Sequence, residues 1–79
     1  MNEESKQPRP GEMVVLEKIP AGLLDGLPTE EQAAISAILG KPVVLSEYDD
    51  IGRAELEFTD GYGVIHFIYV DPSVITAAK

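Results

Sequence analysis

The sequence predicts a small, mainly β domain: five strands with one inserted α-helix at about residues 30–39. Three observations carry this. Apolar and polar residues alternate with period two through the second half of the chain, one segment has helical spacing between clear start and stop signals, and glycine-bearing turns join the strands. At 79 residues the chain holds one domain, near the lower limit at which a hydrophobic core works unaided. There is no cysteine, so neither a disulfide nor a thiolate metal site adds to that core.

Residues 1–11 are polar, carry Pro8 and Pro10, and lack any hydrophobic period; they read as a disordered tail, leaving 12–76 as the folded domain. Glu12 to Ile19 is the first strand, β-branched at Val14 and Val15 and stopped by Pro20. Pro20 to Pro28 has the glycines and prolines of a loop but also Leu23, Leu24 and Leu27, so it is expected to fold back over apolar surface. The helix follows. Thr29-Glu30-Glu31-Gln32 matches a capping box, and Glu30 and Glu31 suit the positive end of the helix dipole. Ala34, Ile35, Ile38 and Leu39 make its apolar face. Gly40 suits a left-handed stop, and Pro42 forbids continuation.

A three-strand meander comes next. Pro42 to Tyr48 is one strand, Asp49 to Gly52 a turn, and Arg53 to Thr59 the clearest strand in the chain. Ala54, Leu56 and Phe58 face inward there, while Arg53, Glu55, Glu57 and Thr59 face water. Asp60 to Gly63 turns the chain into Val64–Val70, which is nearly apolar on both faces. Asp71-Pro72-Ser73 ends that strand, and Val74-Ile75 starts a short last one. The expected core is Val14 or Val15, Leu16, Ile35, Ile38, Val43, Leu45, Leu56, Phe58, Ile68 and Val70. The second face of Val64–Val70 needs cover, expected first from the inserted helix or leucine loop and second from an oligomer contact.

The segments Gly40-Lys41-Pro42-Val43-Val44, Gly52 to Phe58 and Tyr69-Val70-Asp71-Pro72-Ser73, in this order of elements, resemble an SH3-like barrel. The chain is similar to small uncharacterised bacterial proteins in which the first long loop of that barrel carries a helix. The resemblance spans roughly Gly11 to Ile75 and implies a five-stranded SH3-like barrel. It departs from signalling SH3 domains in lacking tryptophan and the aromatic run of the first loop, so a polyproline groove is not implied.

Fourteen acidic residues against six basic ones give a formal charge of −8, which repels phosphate backbones and anionic lipid and favours basic partners. No apolar run approaches a bilayer span, and no charged-then-apolar leader opens the sequence, so a cytoplasmic setting is expected. Catalytic chemistry is not expected. His66 stands alone between Ile65 and Phe67, and Ser36, Ser46 and Ser73 lie outside any nucleophile elbow. Asp49, Asp50 and Asp60 occupy turns, where backbone hydrogen bonding explains them; their spacing is not that of a calcium loop. Neither metal nor cofactor is expected. The candidate binding residues are Glu55 and Glu57, an acidic stripe on one strand face, and Tyr48, Tyr62 and Tyr69, which combine contact area with a polar tip. These point to a non-catalytic interaction module or accessory subunit, monomeric, that docks a basic or neutral protein. The alternative is a structural homo-oligomer that buries the outer face of strand 64–70.

Overall fold

The computed structural model describes residues 7–78. Five strands form one antiparallel sheet: β1 (Met13–Leu16), β2 (Pro42–Tyr48), β3 (Ala54–Thr59), β4 (Ile65–Val70) and β5 (Ile75–Ala77). Their order is β4-β3-β2-β1-β5, so β4 and β5 are the edges; they do not pair, and the sheet is not closed. Among the described residues one α-helix, α1 (Thr29–Ala37), is inserted between β1 and β2, and a 3-10 turn (Pro72–Val74) precedes β5. Of the expected tail, residues 1–6 lie outside the described residues. Arg9 to Glu12 form a turn whose Gly11 amide donates to the Leu45 carbonyl, and the Pro8 carbonyl accepts from the Tyr48 hydroxyl at 2.8 Å.

The period-two pattern works as read. Val14, Leu16, Val43, Leu45, Ala54, Leu56, Phe58, Ile68 and Val70 point to one side of the sheet and are buried, together with Ala34 and Ile35 of α1 and Val74 and Ile75. Ile38 is half-buried rather than buried: α1 ends at Ala37, and Ile38 sits at its C-cap, packed at the edge of the core. Leu23, Leu24 and Leu27 fold back against the same cluster, as the leucine-rich loop required.

Two local expectations about α1 resolve differently. Gly40 terminates the turn at φ +80°, the left-handed conformation that an added Cβ makes costly, and its amide donates to the Leu16 carbonyl at 3.0 Å. The capping box does not form. Pro28 is the N-cap, Thr29 is already helical, and no side chain caps the end. Pro28 presets an extended backbone just before the helix, and its carbonyl accepts from Glu31 and Gln32. Gln32 reaches back instead to the Leu27 carbonyl at 2.8 Å.

The outer face of β4 is the larger correction. Cover is expected first from the inserted helix or the leucine loop, but α1 and Leu23, Leu24 and Leu27 all pack on the inner side of the sheet, in the cluster that holds Leu56 and Ile68. His66, Ile68 and Val70 take the inner face, and Ile65, Phe67 and Tyr69 are left outside. The polar residue is the buried one because both α1 and the β3–β4 turn supply carboxylates to it.

Candidate docking face and the histidine clamp

β3 and β4 run in continuous register, which pairs Glu55 with Tyr69, Glu57 with Phe67 and Thr59 with Ile65 on the outer side. Two rows result. One is apolar and aromatic along the edge strand: Ile65 is 55% exposed, Phe67 50% and Tyr69 41%. The other is acidic along β3, extended onto β2 by Glu47 opposite Glu55. Glu47 reaches this face because the β2–β3 register slips between Leu45 and Glu47, a bulge that turns both Ser46 and Glu47 outward. Ser46 donates to Glu57 at 3.3 Å.

One rung of the face is satisfied internally. The Tyr69 hydroxyl donates to Glu55 at 3.1 Å, and the Arg53 guanidinium lies 5.0 Å from the centre of the Tyr69 ring. The bond to Glu55 and its negative charge push the Tyr69 phenol above its ordinary value, so it stays a donor. Arg53 is held in turn by Asp49, whose carboxylate accepts from its Nε at 2.7 Å and from the backbone amides of Ile51 and Arg53.

Of the five residues expected to bind, three meet here: Glu55, Glu57 and Tyr69. Tyr48 does not. The bulge returns it to the inner side opposite Ala54, where it packs half-buried against the core and its hydroxyl is taken by Pro8. Tyr62 is 93% exposed at the tip of the β3–β4 turn, at the far end of β4 from Tyr69. There it joins the wall of an open hollow of about 610 Å³ between α1 and the turn, floored by Ala33, Ala34, Ala37 and Ile38. Phe67 and Ile65 were not among the candidate binding residues, although the inward placement of Ile68 and Val70 puts both on this face. The strand is nearly apolar on both sides, and the partners of His66 account for its place on the inner one.

His66 is 9% exposed and stacks on Phe58 with ring centres 5.4 Å apart. Its Nε2 lies 2.8 Å from Asp60 in the β3–β4 turn, and its Nδ1 lies 3.5 Å from Glu31 on α1. The imidazole thus ties the inserted helix to the hairpin. Asp60 is a junction as well, accepting from the amides of Tyr62 and Val64. The bond to Asp60 raises the His66 pKa above 6.5 in spite of burial, and Glu31 adds to the rise. The same bond, with the Val64 amide, lowers Asp60 below 3.8. Among the described residues, no group of three His, Asp or Glu side chains is placed to hold a metal ion.

The sign of the pH dependence follows. The His66 contribution is complete below its unfolded pKa of 6.5 and is lost as pH rises through the raised folded value. The Asp60 contribution is complete above 3.8 and is lost as pH falls through the lowered folded value. Wild type should therefore exceed Asp60→Asn in melting temperature by most between about pH 4 and 6.5, with the gap narrowing on either side. Melting both proteins from pH 3 to 9 checks this; a gap independent of pH contradicts the clamp.

Compared with known protein families, curated proteins and solved structures, the chain matches none. Among the described residues no helix is long and apolar enough to cross a membrane.

Proposed function

We propose that this chain is a non-catalytic interaction module, an SH3-like barrel in architecture, that docks a basic protein partner on the outer face of β3 and β4. The observation that carries the reading is the uncovered row Ile65, Phe67 and Tyr69 beside the acidic row Glu47, Glu55 and Glu57. Large apolar side chains left together on a sheet face mark a contact surface, and carboxylates along its border select a cationic partner. The barrel reading is supported by the placement of β1 between β2 and β5, and by the proline-marked turn that leads back to the last strand. A cytoplasmic setting agrees with a chain free of cysteine.

A homo-oligomer would use the same face, and the exposure of Phe67 is its argument too. Charge weighs against it: each copy brings a formal −8 to the seam, with the glutamates at its border.

The test uses a partner captured from the native host and purified. Its affinity for the wild type should fall as salt rises past roughly 0.15 M, where the Debye length is about 8 Å. Glu55→Gln with Glu57→Gln should slow association and flatten that salt dependence, with the melting temperature unchanged. Equal affinity and equal salt dependence in the two proteins would reject the acidic face.

A further inference from the structure

β4 is an edge strand with an unused hydrogen-bonding side. The Asp60 amide donates to the Val64 carbonyl, and the ladder then alternates, so His66, Ile68 and Val70 bond to β3. The N–H and C=O groups of Ile65, Phe67 and Tyr69 point the other way, and among the described residues they have no backbone partner. Edges are ordinarily blunted by proline, lysine or a bulge. β4 has none of these: it reads Ile-His-Phe-Ile-Tyr-Val in unbroken register, and its one titratable inward side chain, His66, is engaged by Asp60 and Glu31.

The rung beside Arg53 shows what the edge lacks. Tyr69, Glu55 and Arg53 form a ring, a carboxylate and a guanidinium stacked together. One rung along, Phe67 and Glu57 repeat the ring and the carboxylate, and among the described residues Glu57 has no cation. We infer that β4 accepts an extended, arginine-bearing segment of the partner as a sixth strand, with the guanidinium seated over Phe67 beside Glu57. An added strand lies about 4.8 Å from β4, so Glu57 is about 10 Å from its backbone, within reach of an arginine side chain. Backbone bonds to residues 65, 67 and 69 supply attachment, and the arginine supplies selection. This deepens the docking reading and rests on it. Basic charge in the occupant complements the acidic row, whereas a second copy of this chain brings more negative charge to the same edge.

The probe is a seven-residue peptide alternating threonine and valine around a central arginine, titrated into the full chain with amide exchange followed residue by residue. The amides of Ile65, Phe67 and Tyr69 should slow at least tenfold at saturation, while those of β5 keep their rates. A peptide N-methylated at alternate positions should fail to bind. Replacing its arginine by citrulline, or Glu57→Gln in the protein, should weaken binding about tenfold. Shifts of the outer side chains without protection of these three amides would overturn strand addition and leave side-chain docking standing. Protection that grows with protein concentration in the absence of peptide would assign the edge to a second copy and overturn the proposal. An absence of binding up to millimolar peptide would overturn it as well, leaving the salt test on Glu55 and Glu57 to judge the docking face by itself.

Discussion

Phe58→Ala should lose about 3–5 kcal/mol of stability, a large share of the roughly 5–15 kcal/mol available to a small domain. Phe58 is 6% exposed near the end of β3, within the cluster joined by strands, helix and leucine loop. Truncation removes its apolar contacts and leaves a cavity that the flanking strands cannot close without breaking their ladders. It also removes the ring on which His66 stacks, weakening the tie from α1 to the β3–β4 turn. Phe58→Leu, which keeps most of the volume, should lose much less. Urea unfolding of the three proteins measures the difference. Wild-type stability in Phe58→Ala would mean that β3 is registered with its other face inward.

That register was legible in the residues. Ala54, Leu56 and Phe58 alternate with charged neighbours, so only one face of β3 fits a core, and the neighbouring strands follow from the turns. Asp60-Gly61-Tyr62-Gly63 demanded a hairpin, and Asp60 supplies its bonds. Two features were not legible, each for a physical reason. The helix start looked like a capping box, but Pro28 already fixes the entry backbone, so Thr29 enters the first turn instead of capping it. Closure of the barrel depends on how far β4 and β5 twist toward each other, and no local pattern encodes that; the edges remain apart. The orientation of β4 was legible, since the expected core took Ile68 and Val70 inward and both are buried; its physical cause was not. Burying Ile65 and Phe67 and exposing His66 looks better on hydropathy alone. Asp60 and Glu31 reverse it, because a carboxylate pair satisfies the imidazole, and their meeting depends on a helix and a turn far apart in sequence.

The site was only half readable. Glu55 and Glu57 could be placed on the outer face from β3 alone. Tyr48 lies at the core edge, away from this face, because the bulge after Leu45 turns the end of β2 without any glycine or proline to announce it. Phe67 lies outside with Ile65 and Tyr69, as the inward placement of Ile68 and Val70 requires.

The docking claim rests most heavily on Phe67 and Tyr69. Both are exposed on the outer side of an edge strand, so Phe67→Ser with Tyr69→Ser should leave the fold intact while removing the two aromatic anchors. Loss of two such anchors should weaken the partner roughly 100-fold, about 2.7 kcal/mol. Ile51→Ser is the matched control: Ile51 is 72% exposed but lies in the β2–β3 turn, off this face. The direct measurement is the partner's Kd against wild type, the double variant and the control, with melting curves on all three. The predicted result is an affinity loss of roughly two orders of magnitude in Phe67→Ser/Tyr69→Ser alone, at wild-type melting temperature. A partner that binds the double variant as tightly as the wild type, or loses as much to Ile51→Ser, would contradict the assignment of the β3–β4 outer face as the docking site.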